Sequence, residues 1–423
     1  MSSTQTLEPP PRLHTRPIHY GVELEFVFAF RQDASKLGYT DGVADTIRKD
    51  LRLEPQMIVK RKLAEKLPNL HTLVRGTLSR EDRALTLSEG YKKWIITVDH
   101  TVCGRGADIG TWLPEKAIDP NEWDSYGIEL ASRILNSGEP ADGDEIEAII
   151  DVVKGTKISN HNAFVTNQCG LHVHIEAPKD LNVSKELALL LIVYEEEISK
   201  LHPPCRRHGH PATVRSLNSN RLGFLYDEDT LTRHLSKIDC STHILRQSES
   251  EILRGAKNKF VEIRQEIYSC QDAFALSRLM CWPAENRSGH EHGDRNRFTI
   301  EFRQARGTLV AEEIHHWVDF CVALVRLAES HAQNPGQFPI DSFQSYSKDG
   351  GATVLSPVNI NRLIDSMGFG EEAREFWRHK ISRYALYEKG DEDDRTDNED
   401  PPEDDPLTDD EDGGEGEDGA DGG

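Results

Sequence analysis

The chain has 423 residues, 29% of them charged, and a formal net charge of −23. Residues 391–423 hold 18 Asp and Glu against one Arg, a net of −17, so only −6 is spread over the rest. That balance excludes a general nucleic-acid surface, which needs clustered positive charge. Seven cysteines with no CxxC pair point to free thiols in a reducing, cytoplasmic setting, and the longest apolar runs, such as LALLLIV at 187–193, are far short of a membrane span.

Residues 1–17 are a Pro-rich polar leader without the apolar centre of a secretory signal, and they are expected to be disordered. A strand opens at residue 18 (IHYGVELEFVFAF). Its alternation sends Val22, Leu24 and Phe26 one way and Glu23 and Glu25 the other. The spacing of DGVADTIRKDL predicts a helix over 41–51; the stretch 54–83 is charged and weakly periodic, with VKRKLAEK read as a solvated helix face. KWIITVDHTV (93–102) reads as a strand carrying Asp99, and WDSYGIELASRIL (123–135) brings Glu129 in a β-like setting. DGDEIEAIIDVVKG (142–155) is a helix closed by glycine. NAFVTNQCGLHVHIEAP (162–178) reads as one strand ended by Pro178, and KELALLLIVYEEEISKL (185–201) as an amphipathic packing helix.

Residues 202–221 form a basic, His-rich loop, followed by a strand in RFTIEFRQARGTL (297–309). Helices are expected over 311–333 and 371–388. There is no internal repeat and no regular βαβ alternation, so the fold class is α+β rather than a doubly wound parallel sheet. The tail from 391 has too little apolar surface to offset its ordering entropy. It is read as a disordered solubilising arm that could contact a protein partner.

Four β-like blocks share one design. Glu23-x-Glu25, Glu129 in GIELAS, His172-x-His174 in GLHVHI and Glu301-x-Arg303 in TIEFRQ each put polar side chains on a single face. Two residues along a strand span roughly 6.5–7 Å, a separation suited to neighbouring cations or to one cation beside a phosphate. Each block alone reads more simply as a solvated or satisfied strand; their joint occurrence points to metal-assisted phosphoryl transfer, with carboxylates for Mg²⁺ and an Arg fork for phosphate oxygens. The chain carries no GxxxxGK[ST], no strand-linked GxGxxG and no GxSxG.

The ordered blocks GVELEF, WIITVDHT, YGIELAS, NQCGLHVHI and TIEFRQARGTL, followed by EEIHHW, run from about residue 19 to 330. Together they resemble the amidoligase family, related to carboxylate–amine ligases of the glutamine synthetase and glutamate–cysteine ligase type. The resemblance implies a glutamine-synthetase-like catalytic domain over 18–390, with a curved, mainly antiparallel sheet, flanking helices and an ATP-dependent reaction through an acyl phosphate. It implies Glu23, Glu25, Glu129, His172 and Glu301 as ligands to Mg²⁺ or Mn²⁺, and His174 and Arg303 as nucleotide contacts. Asp99 matches the family's D-x-S element with Thr101 in the third place, which suggests a role for Asp99 at the amine site or in orienting a ligand. Insertions over 54–90 and 202–221 are expected to set substrate choice.

Arg206 and Arg207, with Asn167 and Thr308, are candidate substrate contacts at the rim. His202, Cys205, His208 and His210 resemble a zinc cluster in composition but not in spacing. GHEHG (289–293) reads as a solvent loop, and Cys103 and Cys169 as packing residues. The substrates expected are one carboxylate-bearing and one amine-bearing molecule, with no nucleic acid and no membrane. A metal-dependent amide hydrolase, or an inactive ligase fold serving as a scaffold, are the alternatives.

Overall fold

A computed structural model describes residues 16–32, 54–74, 92–102, 112, 119–156, 159–203, 206, 261, 263–273, 275–276, 299–334 and 359–387. Residues 1–15 of the expected leader, the helix over 41–51, Arg207, Cys103, Cys205, His208, His210, the GHEHG loop and the acidic tail lie outside those residues.

The strands are β1 (His19–Arg31), β2 (Thr72–Val74), β3 (Trp94–Val98), β4 (Trp123–Ala131), β5 (Leu135–Asn136), β6 (His161–Phe164), β7 (Gly170–Glu176) and β8 (Thr299–Arg306). They form one sheet in the order β2-β3-β4-β1-β7-β8, with β5 and β6 also paired to β1. All pairs are antiparallel except β2 with β3. The described helices are α1 (Pro55–Lys66), α2 (Pro140–Lys154), α3 (Leu181–Val193), α4 (Glu195–Ser199), α5 (Ala311–Gln333), α6 (Ile360–Ser366) and α7 (Glu371–Tyr387), with a 3₁₀ turn at Pro120–Glu122. The fold is therefore a mixed α+β arrangement on an open sheet. No described helix is long and apolar enough to cross a membrane.

β1 pairs with β4, β5, β6 and β7, and its alternation explains the layering. Val22, Leu24 and Phe26 join Ile96, Ile128, Leu130, Val173, Ile175, Ile300 and Phe302 in a buried layer. Each such side chain contributes about 1.5–3 kcal/mol of burial. α5, apolar along one stripe, packs on α3 and β7. Its first turn is prepared by Thr308, whose Oγ1 accepts the Val310 N–H at 3.1 Å. α2 stops at Gly155, which takes a φ of +66° that an L side chain rarely adopts.

Four expectations change. The strand over 93–102 ends at Val98, so Asp99 opens a turn instead of lying on the strand. The segment 162–178 is two strands, β6 and β7, joined by a turn in which Cys169 N–H donates to Thr166 O at 3.1 Å. The helix over 185–201 starts at Leu181 and breaks at Tyr194. It is buried all round instead of amphipathic: Lys185 Nζ donates to Tyr268 O at 3.1 Å and the Tyr268 hydroxyl donates to Glu186. Finally, VKRKLAEK is not only a solvated face, because its Val59 and Leu63 are buried, as is Ile58 just before it.

Candidate functional site

Register assembles the four blocks. Glu25 stands opposite Glu129 across β1–β4, Glu23 opposite His172 across β1–β7, and His174 opposite Glu301 across β7–β8. Side chains paired across a sheet share a face, so the polar halves of four strands meet on the side away from the buried layer. β8 contains an irregularity here, since Leu171 pairs with Ala305 but Val173 pairs with Phe302. The extra β8 residue returns Ala305 to the apolar side and leaves Glu301 and Arg303 on the polar one.

His172 is the hub, with a side chain only 4% exposed. Its Nδ1 lies 3.0 Å from Glu23 Oε2 and 3.5 Å from Glu301 Oε1, and its Nε2 lies 3.5 Å from Glu25 Oε1. Around it are two groups of three donors, each within 4.8 Å of one another: Glu23, His174 and Glu301, and Glu25, Asp99 and Glu129. His174 Nε2 stands 3.1 Å from Glu23 Oε1 and 3.9 Å from Glu301 Oε1. That Nε2 atom is buried, while the Nδ1 of the same ring lies 3.5 Å from the Thr299 hydroxyl. Arg303, 32% exposed, hydrogen-bonds Glu301 at the open side.

Glycines make the close approach possible. The turn between β6 and β7 interrupts pairing beside Glu25, and the Gly170 N–H donates instead to Glu25 Oε2 at 2.6 Å. A Cβ on Gly170 would stand 2.7 Å from His172 Nε2 and 3.0 Å from Glu25 Oε2. At Gly127 a Cβ would stand 2.3 Å from the Asp99 carbonyl, so glycine lets the 99–102 turn rest on the sheet. That turn is fixed by Asp99 N–H donating to Gly127 O at 2.9 Å. Thr101 then donates from both its N–H and its hydroxyl to Asp99 Oδ1, at 2.8 and 2.7 Å. Sequence reasoning passed over Gly127 and Gly170, although a glycine within a strand block signals such an approach.

The electrostatics match this crowding. Burial alone would raise the Glu23 pKa, but the His172 and His174 imidazoles hold it well below the ordinary carboxylate value. Burial would lower the His174 pKa, yet the Glu23 and Glu301 carboxylates raise it. Five carboxylates therefore share one face with two imidazoles and Arg303. Carboxylate oxygens with an occasional imidazole are the donor set of Mg²⁺ and Mn²⁺, and the residues present fit such an ion. In this arrangement His174 joins a three-donor group, whereas His172 has a carboxylate at each ring nitrogen.

The remaining candidates disperse. Asn167 lies in the turn before β7. The Arg206 guanidinium donates to the Cys169 carbonyl and so braces that same turn. The Thr308 hydroxyl accepts the Val310 N–H at the start of α5 and bonds the Glu313 carboxylate. Cys169 is fully buried and burial pushes its thiol up to about 11, which keeps it protonated and inert. His202 is buried edge-on against Trp317.

A family model described as "Putative amidoligase enzyme" matches residues 16–325, a span that contains all four polar blocks and Asp99. No curated protein and no solved structure matches the chain.

Proposed function

The chain belongs to the amidoligase family, and from that premise we propose that it is an ATP-dependent ligase joining a carboxylate to an amine or ammonia. The reading extends to a glutamine-synthetase-like catalytic domain over 18–390 in a cytoplasmic protein. The observation that carries it is the polar face itself: two three-donor groups, Glu23/His174/Glu301 and Glu25/Asp99/Glu129, either side of His172.

Two divalent cations, Mg²⁺ or Mn²⁺, would be held by those groups and would offset the charge of nucleotide phosphates during transfer. Gly170 and Thr101 hold one oxygen each of Glu25 and Asp99 and so aim the other. His172 separates the groups and fixes Glu23 and Glu25 by contact at both ring nitrogens. Arg303, at the exposed edge, can grip phosphoryl oxygens bidentately. In the reaction proposed, a substrate carboxylate oxygen bonds to the γ-phosphorus of ATP as ADP leaves. The amine nitrogen then bonds to the acyl carbon, inorganic phosphate departs, and the amine loses a proton. No side-chain nucleophile takes part, which agrees with an inert Cys169.

The test is incubation with Mg²⁺, ATP, hydroxylamine and a panel of carboxylates. ADP release with hydroxamate formation is expected. Glu301→Gln should lower that turnover by about a hundredfold or more while the protein stays folded by circular dichroism. Wild-type turnover in the variant would sink the site assignment, and amide cleavage without ATP would favour a hydrolase instead.

A further inference from the structure

One peptide unit in the turn between β6 and β7 is held at both of its polar ends. Its N–H, from Gly170, donates to Glu25 Oε2 at 2.6 Å. Its carbonyl, from Cys169, accepts the Gly307 N–H at 2.8 Å and also the Arg206 guanidinium. A trans peptide is planar, with N–H and C=O pointing in opposite directions. Fixing the carbonyl therefore aims the N–H. A cation on the carbonyl also polarises the amide and makes its N–H a stronger donor.

The segment carrying Arg206 is itself anchored. The Arg206 N–H donates to Pro203 O at 2.9 Å, and His202 and Pro203 before it are buried. Its charge reaches the turn. The Cys169 thiol is raised chiefly by burial, and Glu25 raises it further while Arg206 lowers it.

The two three-donor groups differ in this respect. Glu23 is held by imidazoles of the neighbouring strand, His172 at 3.0 Å and His174 at 3.1 Å. Glu25 is held in addition by the Gly170 N–H at the end of a turn, which strand pairing does not by itself orient.

We propose that Arg206 is a positioning residue for Glu25, acting through the Cys169–Gly170 peptide, and that it sets the cation affinity of the Glu25/Asp99/Glu129 group and not of the other. The inference rests on the reading of that face as a two-cation site. It gives Arg206 a role behind a metal ligand, where the sequence suggested a substrate contact at the rim.

The experiment uses the full chain. Labelling with ¹³C′-cysteine and ¹⁵N-glycine selects the amides that follow a cysteine, Gly104 and Gly170, and Cys103→Ser removes the first. The Gly170 amide proton should lie far downfield, as a short hydrogen bond to a carboxylate requires. Arg206→Met should shift it upfield, and Arg206→Lys, which keeps a cation, should restore part of the shift. Calorimetry with Mn²⁺ should find two ions in the wild type. One should bind about tenfold more weakly in Arg206→Met, and the other should be unchanged.

A Gly170 signal that Arg206→Met leaves in place, or an equal weakening of both ions, would overturn the proposal. A wild type that binds no Mn²⁺ would overturn the two-cation reading and the cation half of the proposal with it. The amide shift would then decide alone whether Arg206 holds Glu25. If Arg206→Met does not fold, Arg206→Gln is measured in its place, with the same upfield shift expected.

Discussion

Asp142 and Glu145 of α2 close around Arg133, whereas Glu25, Asp99 and Glu129 close around one another. In the first cluster every carboxylate oxygen has a donor. Arg133 reaches Asp142 Oδ1 at 2.6 Å and both Glu145 oxygens at 2.9 and 3.1 Å. The Asn136 N–H takes Asp142 Oδ2 at 2.7 Å, and the Trp94 indole donates to Glu145 Oε1 at 2.7 Å. In the second cluster, oxygens of Glu25, Asp99 and Glu129 lie within 4.8 Å of each other. A network that stabilises a fold completes its own hydrogen bonds. A face that gathers like charge is less stable by itself, and gains that stability back only when a cation arrives.

This contrast can be broken in order of size. Gly170→Ala should have the largest effect, because its methyl would collide with His172 and Glu25. Mn²⁺ affinity measured by calorimetry should fall about a hundredfold, whereas Gly370→Ala, with nothing within 4 Å of its Cβ, should leave it unchanged. Arg133→Met should destabilise the protein by about 3 kcal/mol in urea unfolding, since it strands two carboxylates, without altering Mn²⁺ binding.

Glu25→Gln should act in the opposite direction. It relieves repulsion from Glu129 and Asp99 and should raise metal-free stability by about 1 kcal/mol, while abolishing the rise in Tm expected of the wild type on adding Mn²⁺. A metal-free loss of stability would mean that the face is a structural network like that of Arg133.

The smallest effect concerns Glu313. Burial would raise its pKa, but Lys380 and the Thr308 hydroxyl hold it below the ordinary carboxylate value. A depressed carboxylate contributes stability that is fully present above its unfolded pKa and is lost as pH falls through the folded one. Glu313→Gln should therefore cost less than about 1 kcal/mol at pH 7. That difference should vanish in urea midpoints taken progressively below about pH 4.5.

Much of the fold was legible because long elements carry their own period. β1 follows from the alternation of Val22, Leu24 and Phe26, and α5 spans Ala311–Gln333 as its apolar stripe requires. The misreadings fell where neighbours override local pattern. α3 buries Lys185 and Glu186 because Tyr268 supplies their partners from a segment some eighty residues away. The 162–178 run looked continuous because a turn built on Thr166 and Cys169 has no proline or glycine ahead of Gly170 to mark it.

The sequence by itself determined which residue types share a strand face, because a period of two needs no partner to define it. Thus Glu23 with Glu25, His172 with His174 and Glu301 with Arg303 could be paired before any fold was known. Only the tertiary structure decided which pairs meet. Cross-strand register set Glu25 against Glu129 and placed His172 between two acidic groups. The Gly127 and Gly170 clearances brought Asp99 and Glu25 close enough to share an ion. Those are distances between segments far apart in the chain, fixed by packing and backbone pairing, and no local periodicity encodes them.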